Sequence, residues 1–251
     1  MAGSLADWRA SRLAALTAPD GWLNLVARID LAPGRYLVGA AQEVRLPSGP
    51  ELLGTLDLTA TGASFTRPGK DPQCFQPVPD AFPQVQVDPF LLELHTVAGS
   101  PALRVRDLTL SPSVKLRHYP VAPAWAIRAR WESFAPQASE VAMKDGSTAC
   151  VTLTHRATFQ HQGQTVTLTP THWKSGKPMF VFRDATAGET YPACRFLFAD
   201  DATETGITLD FNRAISPPCA FTDFAVCPLP PAGNILPFRI EAGELAPQRH
   251  R

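Results

Sequence analysis

The stretch "CVTLTHRATFQHQGQTVTLTPTHW", residues 150–173, decides the class of fold. Two runs rich in β-branched and aromatic residues flank "HQGQ", whose glycine and short polar side chains suit a tight turn between antiparallel strands. A second hairpin follows, in which "PMFVFRD" (residues 178–184) turns through "ATAGE" into "TYPACRFLFAD" (190–200). The segment "ITLDFN" (207–212) reads as a further strand. Upstream, "WLNLVARIDL", "RYLVGA", "LLGTLDLTATGASF" and "ALRVRDLTL" repeat the same grammar of short apolar runs and turn signals. Residues 4–16 break it with a helix: Leu5, Trp8, Leu13 and Leu16 fall near one helical stripe, and "TAPDGW" stops it. The chain therefore reads as all-β, mainly antiparallel, with sandwich-like or barrel-like modules and a short N-terminal α-helix.

Two segments resist that grammar. Residues 67–89, "RPGKDPQCFQPVPDAFPQVQVDP", are proline-rich and lack a clean period, so they are expected to form a loop. Residues 118–136, "HYPVAPAWAIRARWESFAP", hold one short strand between prolines and mark a junction. A boundary near 118 divides an N-terminal module, residues 1–117, from a C-terminal one, residues 118–251.

The 251 residues can bury a substantial core without help from a metal or a disulfide. Lys plus Arg number 23 against 23 Asp plus Glu, so no basic field exists to hold phosphate backbones, and nucleic acid is not an expected partner. No window approaches the ~18 consecutive apolar residues of a spanning helix, and none is expected to enter a membrane. The start "MAGSLADWRASRLAAL" is interrupted by Asp7, Arg9 and Arg12, unlike a secretory leader, and a cytoplasmic location follows. Five cysteines at irregular spacing suit reduced thiols better than a disulfide framework.

Strand parity picks out a candidate site. In "TYPACRFLF", Tyr191 and Arg195 share one face and Cys194, Phe196 and Phe198 the other. In "ITLDFN", Ile207, Leu209 and Phe211 form the apolar face, and Thr208, Asp210 and Asn212 the polar one. If these strands are neighbours, Tyr191, Arg195, Asp210 and Asn212 converge on one polar pocket; a structural ion pair between Arg195 and Asp210 satisfies the same pattern. Asp184, at the end of "MFVFRD", is placed to cap the Thr186–Gly188 turn through its carboxylate. The prolines after Asn212, Pro217, Pro218, Pro228, Pro230 and Pro231, stiffen a loop suited to lining a cleft.

Cys219 and Cys227 in that loop have three readings. As zinc ligands they lack the short knuckle spacing. As nucleophiles they need a base and a cationic neighbour. As buried inert thiols they need nothing. The pocket is expected to take a small polar or anionic molecule, with Arg195 as fixed charge, Asp210 and Asn212 orienting, Tyr191 stacking or donating, and residues 216–234 as a wall. Asp184 or Asp210 as acid/base, or Cys219 or Cys227 as nucleophile, would make it a hydrolase-like enzyme. A surface that only binds a protein partner is the third possibility.

Several of these motifs also carry a resemblance. "FRDATAGETYPACRFLFAD", "LDFNRAISPPCAF", "CPLPPAGNILPFRIEAGE" and "RHYPVAPAWAIRAR" resemble the bacterial and archaeal family known as domain of unknown function sixteen-eighty-four. That resemblance emphasises Asp184, Thr186, Gly188, Tyr191, Arg195, Asp210, Asn212, Cys219, Cys227, Pro228, Asn234 and Glu244, and implies no activity or cofactor. It departs from the family pattern at Pro192, Ala193 and Cys194, where relatives often have glycine before the Arg. The N-terminal stretch around "GRYLVGA" is similar to the opening strands of a forkhead-associated sandwich, without the Arg and Ser-x-x-His that bind phosphothreonine: Ala40 follows Gly39 here.

Overall fold

The computed structural model describes residues 4–79, 81–97 and 99–248. They divide into two units, Trp8–Ser113 and the chain from Val114 onward, the latter taking in the residues before Trp8. The helix α1 (Leu5–Thr17) forms where the apolar stripe predicts it. Ser4 and Asp7 open it with a reciprocal cap, each side chain accepting the other's backbone N–H at 3.1 Å. Of the stripe, Leu16 is fully buried while Leu13 is 38% exposed.

The first unit is a sandwich of two five-stranded sheets. Its strands are β1 (Leu25–Asp30), β2 (Gly34–Gly39), β3 (Val44–Arg45), β4 (Gly54–Leu58), β5 (Ala63–Thr66), β6 (Gln73–Cys74), β7 (Gln76–Val78), β8 (Ala81–Val87), β9 (Phe90–Val97) and β10 (Ser100–Asp107). One sheet runs β1-β10-β9-β8-β7 and the other β3-β2-β4-β5-β6, antiparallel except for the β2–β3 pair. Val38, Leu56 and Phe65 meet Val87, Leu92, Leu103 and Val105 between them. The expected loop at 67–89 is corrected by β6, β7 and β8, all of which lie within it. Its prolines hid the strands: Pro77 falls where the β7–β8 register shifts, a place where a missing N–H costs the ladder least.

Parity turns Glu93, His95, Arg104 and Arg106 to the face opposite that core, yet all four are buried. Glu93 accepts from Arg104 at 3.0 Å and from Arg106 at 3.1 Å, so one carboxylate serves two guanidiniums. Both arginines lie against the Trp22 ring, at 5.2 and 5.7 Å from its centroid. Phe82 meets the His95 ring edge-on at 4.5 Å. Burial, then Arg104, Arg28 and Arg106, depress the His95 pKa from 6.5 to about 3, while Glu93 is the one carboxylate of the cluster. The folded imidazole therefore binds fewer protons than the unfolded one. Its neutrality contributes stability present above pH 6.5 and lost as pH falls from there toward 3. Urea unfolding across that window is expected to show falling stability, with a shallower fall in His95→Gln.

The second unit contains β11 (Ala126–Ala142), β12 (Thr148–His161), β13 (Gln164–Leu168), β14 (His172–Lys174), β15 (Lys177–Phe182), β16 (Arg195–Phe198) and β17 (Gly206–Asp210). Two antiparallel sheets, β13-β12-β11-β17 and β14-β15-β16, share a core that includes Trp131, Phe159, Phe180, Phe182, Leu197 and Phe211. The β12–β13 hairpin turns at Gln162 and Gly163, both with positive φ, which matches the twist of the flanking strands. Ser175 and Gly176 do the same between β14 and β15. The short strand expected near 126 is a seventeen-residue one. Its second half is mostly exposed and held by pairing with β12 across a register shift between Ser133 and Gln137, so no apolar alternation announced it.

Candidate functional site

Asp184 and Arg195 meet because β15 and β16 pair in register, Phe182 opposite Arg195. The Arg195 guanidinium donates to Asp184 Oδ1 at 2.9 Å, to the Ala242 carbonyl at 2.6 Å and to the Ile240 carbonyl at 3.2 Å. Its plane lies 4.7 Å from the centre of the Phe182 ring. Asp184 also accepts from Ile240 N–H at 2.6 Å and from the Thr186 hydroxyl at 3.0 Å. Each side chain of the pair is 1% exposed. Burial lowers the Arg195 pKa and the Asp184 carboxylate opposes that shift, so the pair holds its charges only as a unit. Thr186 extends it to the Thr190 hydroxyl at 3.1 Å, closing the turn that Asp184 was expected to cap.

Asp210 and Asn212 lie elsewhere. The expected convergence with Arg195 presupposed that their strands are neighbours, but β16 pairs with β15 in one sheet and β17 with β11 in the other. Asp210 Oδ1 accepts the backbone and side-chain N–H groups of Asn212 at 3.1 and 2.9 Å, and Arg213 lies 3.4 Å from its other oxygen. The Asn212 amide closes on the backbone of Ala122, accepting at 3.0 Å and donating at 3.1 Å. The parity itself held: Ile207, Leu209 and Phe211 are all fully buried.

Asn234 and Glu244 are staples of the same kind. Asn234 donates to the Thr169 and Val181 carbonyls at 2.8 Å and accepts from Thr169 N–H at 3.0 Å. Glu244 accepts from Ser216 N–H at 2.8 Å. Gly243 precedes it at φ +79, where an added Cβ would stand 2.5 Å from the Ala214 carbonyl oxygen. These motif residues fasten irregular chain to the sheets through backbone groups that would otherwise be buried without partners.

A different corner gathers reactive groups. Cys219 sits in a 3-10 turn, Pro218–Ala220, entered through Pro217. Its backbone N–H donates to Cys227 Sγ at 3.2 Å. Its carbonyl accepts from the Tyr191 hydroxyl at 3.0 Å and lies 3.5 Å from Lys144 Nζ, which stands 5.8 Å from the centre of the Tyr191 ring. Interaction with the Cys227 thiol pulls the Cys219 pKa down against opposing burial, and the Tyr191 hydroxyl and the Lys144 ammonium pull the same way. Cys227 moves up, through the same interaction and its own burial. Burial also raises Cys194. Among the described residues no group of three or more His, Cys, Asp or Glu is placed to hold a metal ion.

Lys144 went unnoticed in the sequence. It occupies the β11–β12 connection, about seventy-five positions before Cys219, and the backbone pairing of Lys144 N–H with the Cys227 carbonyl and of Leu229 N–H with the Ala142 carbonyl brings the two segments together. A cleft of about 530 Å³ lies in the first unit, lined by Pro33, Leu58, Phe75, Pro77, Leu94 and Pro101 among others. No helix among the described residues is long and apolar enough to cross a membrane.

Residues 114–245 match a family model described as "Protein of unknown function (DUF1684)". Among solved structures, the chain is similar to the solution NMR structure of an uncharacterized protein of Haloarcula marismortui. The two share 28% identity over 52% of this chain and 75% of that one, with a TM-score of 0.43. No curated protein matches the chain.

Proposed function

Because the chain belongs to the DUF1684 family of proteins of unknown function, its chemistry is read from its own residues, and we propose that its C-terminal unit binds a small polar or anionic molecule beside Lys144 and Tyr191. The carrying observation is the Lys144 ammonium. It is exposed, it faces a phenol ring and a carbonyl, and among the described residues no carboxylate pairs with it. Arg195, by contrast, is 1% exposed and has both terminal nitrogens engaged by Asp184, Ala242 and Ile240. Residues 216–234 supply the wall, stiffened by prolines, and Tyr191 supplies the ring. The balance of 23 basic and 23 acidic residues favours a small molecule over nucleic acid, and five free cysteines favour a cytoplasmic setting. A second reading, a hydrolase-like enzyme, is favoured by one observation: Cys219 is eased toward its thiolate, as a nucleophile must be.

Thermal unfolding with inorganic phosphate, sulfate and a panel of small carboxylates tests the binding reading. At least one anion is expected to raise the melting temperature, since a ligand at 100 times its Kd adds about 2.7 kcal/mol. Lys144→Ala, at an exposed position, is expected to leave the unliganded melting temperature nearly unchanged and to remove the shift. A shift that survives Lys144→Ala, or no shift from any anion, overturns the assignment.

A further inference from the structure

Cys219 and Cys227 are coupled by more than proximity. The Cys219 backbone N–H donates to Cys227 Sγ at 3.2 Å, which sets the second sulfur directly against the first cysteine. Both positions are rigidly held. Pro217 and Pro218 fix the entry to Cys219. The Cys227 carbonyl accepts Lys144 N–H at 2.9 Å, and Pro228 bridges to Met143. The Tyr191 hydroxyl and the Lys144 ammonium both stand at the Cys219 carbonyl and lower the pKa of that cysteine, while interaction with Cys219 and burial raise that of Cys227. The third buried thiol, Cys194, is turned to the Pro228 carbonyl at 3.5 Å. One cysteine eased toward attack, beside a partner that stays protonated until called on, is the division of roles between an attacking and a resolving cysteine.

We propose that Cys219 and Cys227 are a redox couple, oxidised to a disulfide by a small hydroperoxide. In the first step the Cys219 thiolate attacks one peroxide oxygen; the S–O bond forms, the O–O bond breaks, and the departing hydroxide (or alkoxide) takes up a proton. Sulfur is oxidised to the sulfenic acid and the peroxide is reduced. In the second, Cys227 sulfur attacks the Cys219 sulfur; the S–S bond forms, the S–O bond breaks, and the hydroxide leaves as water with the Cys227 proton. The sum is two thiols and one hydroperoxide giving one disulfide and two molecules of water, or one of water and one of alcohol. Burial sets the size of the oxidant. Cys219 is 0% and Cys227 2% exposed, so either oxidant needs the loop to open before it meets a sulfur, and hydrogen peroxide, scarcely larger than water, needs far less opening than a glutathione disulfide. The step requires no molecule beside Lys144, so it stands or falls independently of anion binding.

The test treats the reduced full chain with one equivalent of hydrogen peroxide or, separately, of oxidised glutathione, followed by thiol counting and peptide mass mapping. Peroxide is expected to remove two thiols and yield the Cys219–Cys227 peptide as the main product, with the exposed Cys74 and Cys150 still reduced. Oxidised glutathione is expected to yield little of it. Cys227→Ala is expected to leave a sulfenic acid on Cys219 that dimedone traps, and the mapping of the unmutated chain stands even if that variant folds poorly. Peroxide that modifies Cys74 or Cys150 while the buried pair stays reduced overturns the couple. Glutathione disulfide that matches peroxide overturns the choice of oxidant.

Discussion

Asp184→Ala is expected to destabilise the C-terminal unit by about 3–5 kcal/mol, the cost of leaving one member of a buried ion pair without the other. The substitution strips the paired carboxylate from a guanidinium that is 1% exposed and leaves Ile240 N–H and the Thr186 hydroxyl without this acceptor. Against a total of roughly 5–15 kcal/mol, that is a large share. Asp210→Ala is the internal comparison. Its carboxylate caps a short turn with a side chain 30% exposed, and loss of a cap costs about 1 kcal/mol. Denaturant midpoints of the two variants rank the roles directly. Combining Asp184→Ala with Arg195→Met is expected to cost less than the sum of the single changes, because the second removes the stranded charge. Equal costs for Asp184 and Asp210, or strict additivity, would contradict a coupled buried pair.

The second large effect belongs to the other unit. Glu93→Ala leaves Arg104 and Arg106 facing Trp22 without an anion between them, and about 3–5 kcal/mol of destabilisation is expected there too. Hydrogen exchange along β9 and β10 reads it locally. Protection is expected to fall in those strands while β15 and β16 keep theirs, as two separate cores imply. Unchanged exchange in β9 and β10 would mean that the carboxylate contributes nothing to holding the guanidiniums.

How far the sequence could be read follows from these same elements. Hairpins such as β12–β13 are legible because one buried face and a positive-φ turn leave an alternating pattern bounded by Gly163. β11 was not, because most of its second half is exposed and carries no alternation. β7 and β8 were hidden by prolines that the ladder accommodates at a register shift. At the site, parity correctly sorted Ile207, Leu209 and Phe211 from Asp210 and Asn212. Parity cannot say which strands become neighbours, and there the expected Arg195 pocket gave way to the Asp184 pair. The turn chemistry of Asp184 and Thr186 was local and so was visible. Lys144 was not, since only tertiary pairing carries it to Cys219.

What unites the account is that the motif residues lock the irregular C-terminal chain in place, and that the locked chain sets Cys219 among groups that ease its ionisation. Following the Cβ resonances of isotope-labelled cysteine by NMR across pH tests this without requiring any reagent to reach a buried sulfur. Cys219 is expected to titrate below the ordinary thiol range, before its partner, with the midpoint moving up in Tyr191→Phe. A Cys219 that stays protonated beyond about pH 8.5, the range of an ordinary thiol, would contradict it.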